Sequence, residues 1–295
     1  MSNSKGIETV LDRRIENVFP SRDNAVRRLQ EETLEVYLGI DPTSPELHLG
    51  HTVPLLFLKN LHELGHKIII LIGDFTARIG DPTGKESARK ALSGEEIEAN
   101  MKTYLKQVHR ILPSGSFEVK YNSTWLEPLN FGDLIKLASN VTVQQMIVRD
   151  MFQERIKQEK PIYLHEFLYP LAQGYDSVAM KVDGEVGGND QTFNMLVGRE
   201  LEKTLLQKEK LVFATKLITN REGGKKMSKS EGEVIALTDE PQEIRRKVLA
   251  LDDGIIASIF QLCTEKDMDW IREQNSDPRA FKEALAEELI AMYHG

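Results

Sequence analysis

The segment Lys67-Ile68-Ile69-Ile70-Leu71-Ile72-Gly73 constrains the fold most. Five consecutive branched or long apolar residues give it no polar face, so as a strand it needs cover on both sides, as in a parallel sheet flanked by helices. Its surroundings agree. Residues 33–40 are rich in β-branched and apolar types and predict an earlier strand, broken by Asp41-Pro42-Thr43-Ser44-Pro45. A helix is predicted from about Gly50 to Leu64, with Leu55, Leu58 and Leu61 near one face and Gly65 as its terminator. Strand, helix and strand within forty residues predict a right-handed crossover and the start of a Rossmann-like α/β fold.

The remaining elements extend this pattern. Ser93 is a candidate N-cap, with Glu95 and Glu96 in the first turn of a helix reaching about Leu112. Phe117–Tyr121, 182–187 and 211–218 are further predicted strands, with a helix over 192–206. Residues 130–160 are helical and amphipathic with no evident place in the sheet. From Pro241, a favourable first helical residue, short helices run to Tyr293. The expectation is an α/β domain over 1–234, interrupted by a helical stretch at about 125–165 and closed by a loop at about 220–234. A smaller all-α domain follows over 235–295.

Composition narrows the class. The longest apolar run, Ile68–Ile72, cannot span a bilayer, and the first residues have no signal-peptide core. A single cysteine, Cys263, permits no internal disulfide and no thiolate metal cluster, which fits a reducing cytoplasm. A net charge of −8 argues against a general nucleic-acid coat but leaves room for a local basic footprint.

Two short segments carry chemistry. His48-Leu49-Gly50-His51 falls where the first predicted strand turns into its helix. Two imidazoles there can donate to phosphate oxygens, and the helix N-terminus adds free amides and a positive field. Gly50 lets a ribose or base approach the backbone. Two histidines three apart also suggest a metal, but further ligands at helical spacing are missing nearby. Lys225-Lys226-Met227-Ser228-Lys229-Ser230 follows Gly223-Gly224. Lysines on a mobile loop suit a triphosphate whose charge rises as pyrophosphate leaves. Most lysine-rich loops are merely solvated. Gly80-Asp81-Pro82-Thr83-Gly84-Lys85 mimics a P-loop, but it has one residue too few between its glycines and Glu86 follows the lysine.

Together, in this order, the two segments are the signatures of class I aminoacyl-tRNA synthetases, and from about Arg13 to Gly295 the chain resembles the tyrosyl-tRNA synthetase family. Gly39-Ile40-Asp41-Pro42-Thr43, Ile79 to Lys85 with Arg89, Tyr169 to Asp176, and Gly187-Gly188-Asn189-Asp190-Gln191 all match family segments. The resemblance implies that Tyr37 and Asp176 bond the substrate phenol and that Tyr169, Gln173 and Asp81 hold its ammonium, with Thr76 alongside. It places Gln191 near the substrate carboxylate and Asp190 on the ribose hydroxyls. Gly39, Asp41, Thr43, His48, Gly50, His51, Gly188, Asp190, Met227 and Lys229 would surround ATP. His48, His51, Lys85, Arg89, Lys226, Lys229 and Ser230 would serve the reaction. A phenylalanine in such a slot leaves Tyr37 and Asp176 unpaired. Discrimination of roughly 10⁴–10⁵-fold is the magnitude already established for this class of enzyme.

The implied reaction has two steps: attack of the tyrosine carboxylate on the α-phosphorus of ATP, assisted by Mg²⁺ without a dedicated protein site, then transfer to a terminal ribose hydroxyl of tRNA(Tyr). The resemblance also implies a homodimer through 125–165, with Leu134, Leu137, Val141, Met146, Ile147 and Phe152 as candidate contacts or, alternatively, as residues packed on the chain's own core. Residues 235–295 would be the anticodon-recognition domain, with Arg245, Arg246 and Lys247 a basic cluster that touches RNA or is simply solvated. Bacterial relatives continue past a segment like Met292-Tyr293-His294-Gly295 into a basic RNA-binding module. The expectation is a chain shortened there that forms adenylate and charges tRNA weakly. The rivals are a tryptophanyl-tRNA synthetase, a small nucleotidyltransferase and a non-catalytic RNA-binding descendant. An indole only donates, and so suits the Tyr37–Asp176 pair poorly.

Overall fold

The computed structural model describes residues 2–83, 92–219, 234–273 and 277–295. Helices α1 (Ser2–Arg14) and α2 (Arg22–Glu31) flank strand β1 (Ile15–Phe19). Then come β2 (Glu35–Ile40), α3 (Leu49–Glu63), β3 (Lys67–Ile72), α4 (Thr76–Ile79), α5 (Gly94–Met101), α6 (Tyr104–Val108) and β4 (Phe117–Tyr121). The insertion holds α7 (Ser123–Leu126), α8 (Phe131–Ala138), α9 (Val143–Ile147) and α10 (Asp150–Lys157). Helix α11 (Leu168–Met180), β5 (Gly184–Gly188), α12 (Thr192–Leu206) and β6 (Leu211–Thr215) complete the α/β layer. Helices α13 (Pro241–Leu249), α14 (Asp253–Cys263), α15 (Met268–Glu273) and α16 (Pro278–His294) follow. Among the described residues no helix is long and apolar enough to cross a membrane.

The sheet order is β1-β6-β5-β2-β3-β4. Strands β2 to β6 run parallel, and β1 pairs antiparallel with β6 at the edge. Strand β1 has no signal in the sequence, because Glu16 and Asn17 interrupt any run and no breaker separates it from α1. The chain proceeds outward from β2 through β3 to β4, then returns to the other side of β2 with β5. This makes the C-terminal ends of β2 and β5 a topological switch point, where parallel sheets open a ligand crevice.

Alternation sorts the two faces. Val36, Leu38, Ile40, Ile68, Ile70 and Ile72 join the larger core with α3 and the C-terminal helices. Tyr37, Ile69 and Leu71 point to the opposite face, beside Trp125 and Val182. Helices α11 and α12 cross closely on that side. A Cβ added to Gly174 would lie 3.2 Å from the Cα of Gly198, so neither position has room for a side chain without separating the helices.

Two expected helices are subdivided. The one predicted from Ser93 to Leu112 is two, α5 and α6. Ser93 does cap the first, in a reciprocal capping box with Glu96. The break positions donors for the Pro42–Pro45 turn: Asn100 Nδ2 donates to Pro42 O at 2.8 Å, Thr103 Oγ1 to Pro45 O at 2.8 Å and Gln107 Nε2 to Pro45 O at 2.9 Å. The 130–160 stretch is three short helices, capped at Asn130 and Thr142.

Candidate functional site

Helix α3 begins at the crevice, and His48 is its N-cap. The His48 Nδ1 accepts from Gly50 N at 3.2 Å, while His51 Nδ1 accepts from His48 N at 3.1 Å. With both Nδ1 atoms acting as acceptors, a neutral ring carries its proton on Nε2 in each case. The rings lie 4.2 Å apart, centroid to centroid. A Cβ on Gly50 would meet the His48 ring at 3.0 Å, so the glycine makes room first for an imidazole of its own chain.

The second signature, with Lys226, Met227, Lys229 and Ser230, lies outside the described residues, as do Lys85 and Arg89. The chain is described again from residue 234, just past the second signature. Leu49 N donates to Ile235 O at 2.8 Å and Leu237 N to Leu47 O at 2.9 Å, around an antiparallel bridge between His48 and Ala236. Two segments nearly two hundred residues apart in the chain are thereby neighbours at the mouth of the crevice.

Behind this mouth, polar side chains from five elements form a connected slot. Asp41, just past β2, accepts from Thr76 Oγ1 at 2.7 Å and from Tyr169 Oη at 2.8 Å. Gly73 permits this, since a Cβ there would sit 2.0 Å from Asp41 Oδ1 and 2.4 Å from Thr76 Oγ1. Asn122 Nδ2 donates to Thr76 Oγ1 at 3.0 Å and to Asp176 Oδ2 at 3.3 Å, and Trp125 Nε1 donates to Asp176 Oδ1 at 2.8 Å. Asp81 accepts from Gln191 Nε2 at 2.7 Å, and Asn194 Nδ2 donates to Gln191 Oε1 at 2.9 Å. Thr43 N donates to Asp41 O. Asp190 crowds Gly188, whose added Cβ would stand 2.4 Å from Asp190 Oδ1, and Gly39 is exposed at the open end of β2.

Tyr37 and Asp176, expected as a pair, are both buried. The Tyr37 hydroxyl bonds Ser177 Oγ at 3.0 Å rather than the carboxylate. Burial holds the Tyr37 hydroxyl well above the usual phenol range, with Glu185 and Asp176 adding to the effect. Burial likewise pushes the Asp176 carboxyl up, against the Trp125 and Asn122 donors, which favour its anion. Gln173 Nε2 donates to Glu185 Oε1 at 3.0 Å, while Gln173 Oε1 is buried with no partner among the described residues. A buried acceptor without a donor is costly unless a ligand supplies one.

Sequence reasoning passed over Asn122, Trp125, Ser177, Glu185, Lys210 and Gly73. Asn122 and Trp125 could have been found, because they directly follow the end of β4, where ligand groups gather in parallel sheets. Lys210 carried no signal; it is one lysine in a polar turn.

Two other expectations change. Of the six apolar residues proposed to face a partner, Leu137, Met146 and Phe152 are buried in the chain itself. The first two pack on α11 and α12. The exposed large apolar residues of the insertion are instead Phe131, Ile135, Val143, Val148, Ile156, Tyr163 and Leu164. The basic cluster of α13 is paired with acids: Arg245 with Glu283 and Glu287, Arg246 with Glu243, and Lys247 with Asp239.

Comparison with known proteins follows the same lines. A family model described as tRNA synthetases class I (W and Y) matches residues 29–295. A tyrosine–tRNA ligase of Carboxydothermus hydrogenoformans is 43% identical over 97% of this chain and 72% of its own length. One of Coxiella burnetii is 46% identical over 92% of this chain and 70% of its own. A crystal structure of an Archaeoglobus fulgidus tyrosyl-tRNA synthetase complexed with L-tyrosine superposes with a TM-score of 0.80, at 21% identity over 99% of this chain and 98% of that one, which speaks for the fold. The chain belongs to the tyrosine–tRNA ligase family of class I aminoacyl-tRNA synthetases.

Proposed function

We propose that this chain activates tyrosine with ATP, forming tyrosyl-adenylate and pyrophosphate, and transfers the tyrosyl group to the 3′ end of tRNA(Tyr). The observation that carries the reading is the pairing of His48 with Ala236. It sets the first signature against the residues that follow the second, beside buried Tyr37 and Asp176 and the Gln173 acceptor, which has no partner among the described residues.

In this reading the phenol enters against Tyr37 and Asp176, and the ammonium is taken by Gln173, Tyr169 and Asp81, with Thr76 alongside. Gln191 lies near the carboxylate, and Asp190 holds the ribose hydroxyls. ATP lies over Gly39, Asp41, Thr43, Gly50 and Gly188, with Met227 against it. The tyrosine carboxylate is ionised at neutral pH, so its in-line attack on the α-phosphorus needs no general base. Rate comes from positioning and charge. The Nε2–H groups of His48 and His51 donate to phosphate oxygens. Lys85, Arg89, Lys226 and Lys229, with Ser230 nearby, neutralise the departing pyrophosphate. Mg²⁺ arrives with the triphosphate, and no dedicated protein site is proposed for it.

Residues 1–234 form the catalytic unit in this proposal, and 235–295 approach the tRNA anticodon. The exposed apolar insertion face supports a homodimer, since contiguous apolar surface of this kind commonly marks an interface. Cytoplasmic residence follows from the same function. Pyrophosphate exchange with tyrosine, tryptophan and phenylalanine in turn tests the reading. Tyrosine alone should support exchange. Exchange with tryptophan, or with none of the three, would overturn it.

A further inference from the structure

A second buried group lies directly behind the slot. Lys210, just before β6, and Glu185, in β5, are both fully buried and form an ion pair. Lysine donates only, so Ser177 Oγ accepts from Lys210 Nζ, at 2.6 Å. The same Ser177 Oγ bonds the Tyr37 hydroxyl, and Glu185 Oε1 accepts from Gln173 Nε2. A Cβ on Gly198 would stand 2.6 Å from Lys210 Nζ, so the close crossing of α11 and α12 at two glycines is what admits the ammonium.

We infer that the Lys210–Glu185 pair is a positioning device for the amino-acid slot, acting through Gln173 at one end and through Ser177 and Tyr37 at the other. This rests on the function proposed above. An amide side chain can present either end. A carboxylate paired with the Lys210 ammonium offers Gln173 only acceptor oxygens, so it fixes the NH₂ of Gln173 toward itself. Gln173 Oε1 is thereby turned away as an acceptor, buried and unpartnered, the complement of an ammonium that can only donate. At the other end the lysine occupies one acceptor position of Ser177 and so restricts how Ser177 meets Tyr37. A buried ion pair is seldom worth its desolvation as stabilisation alone, whereas orienting neighbouring polar groups is a use it serves well.

The test is steady-state pyrophosphate exchange by the full chain, with KM measured separately for tyrosine and ATP. In Glu185→Gln/Lys210→Met the charges are removed together and the shapes nearly kept. A glutamine at 185 no longer dictates which end of Gln173 faces it. The tyrosine KM is expected to rise about tenfold, the order of one charge-assisted hydrogen bond, with the ATP KM within about twofold and the melting temperature little changed. In a Gln173→Leu background the same pair of changes should raise the tyrosine KM by clearly less than about tenfold, because only the Tyr37 arm is left to lose. An unchanged tyrosine KM in the folded double variant, or full additivity with Gln173→Leu, overturns the inference. Should the double variant not fold, Ser177→Ala decides. It breaks the Tyr37 arm at Ser177, leaves Gln173 bonded to Glu185, and should lower the tyrosine-over-phenylalanine preference about tenfold, and an unchanged preference overturns the inference. Wild-type exchange is the control: its absence would sink the proposed function instead.

Discussion

At the scale of single residues, Glu202 on α12 stands out because no hydrogen bond offsets its burial. It is fully buried, and neither carboxylate oxygen has a hydrogen-bond partner among the described residues. Burial pushes its carboxyl up to about 7, with Lys210 and Lys208 opposing. The folded chain therefore holds this proton more tightly than the unfolded chain does. The associated stability is fully present below the ordinary carboxylate range, starts to fall above it, and is lost as pH rises through about 7. Glu202→Gln removes that dependence. It is expected to raise stability by about 1–2 kcal/mol at pH 8 and to change it little at pH 5, allowing for the opposing lysines and for the amide's own unmet hydrogen bonds. Urea midpoints at the two pH values check this, and an equal effect at both would assign the buried carboxyl an ordinary titration. Neither Glu202 nor Lys210 was legible in the sequence, where charged residues near a helix end are usually solvated.

Elements were legible in proportion to how much local chemistry they carry. Strands β2 and β3 and helix α12 follow from apolar runs and spacing. The start of α3 follows from the breakers between Asp41 and Pro45 and the leucine spacing after Gly50, whereas the cap at His48 is seen only in the structure. Strand β1 was invisible because only its pairing with β6 makes it a strand. The split between α5 and α6 was invisible because its cause, the carbonyls of Pro42 and Pro45, lies sixty residues away. The slot was legible where motifs mark it, at Tyr37, Asp81, Tyr169 and Asp176, and not where it is assembled from separate strand ends, as at Gly73, Asn122 and Trp125. The α3 terminus yields the expectation for this scale. His48→Ala removes the Gly50 cap, worth about 1 kcal/mol, and the phosphate donor proposed above, while the amino-acid slot is built from other elements. Exchange at saturating tyrosine should fall by about 10²-fold or more, with tyrosine affinity by equilibrium dialysis nearly unchanged. Lost affinity with retained turnover would reverse the assignment.

At the scale of the whole molecule, the insertion and the C-terminal helices raise opposite questions. The insertion exposes Phe131, Ile135, Val143, Val148 and Leu164. If these meet a second copy, Phe131→Asp/Leu164→Asp should sediment as a monomer where the parent chain is a dimer; a monomeric parent would remove the proposal. The C-terminal helices, by contrast, are not separate in packing. Ile244, Val248, Phe260 and Leu285 share one continuous core with Leu38, Phe57 and Ile70. Arg14, fully buried at the end of α1, binds across the same boundary. It donates to Leu262 O at 3.0 Å and Thr264 O at 2.7 Å, and to Asn60 Oδ1 of α3 at 2.8 Å. A division of labour near residue 235 therefore need not be a division of stability. The two tryptophans can decide. Trp125 lies against Asp176 in the slot, and Trp270 packs on Phe260 and Phe281. In single-tryptophan variants both are expected to report one denaturation midpoint. Arg14→Met should move the two midpoints down together, by about 3 kcal/mol for the acceptors it strands. A Trp270 transition that shifts alone, ahead of Trp125, would show that helices 241–294 melt as a unit of their own and that the shared core does not couple them to the sheet.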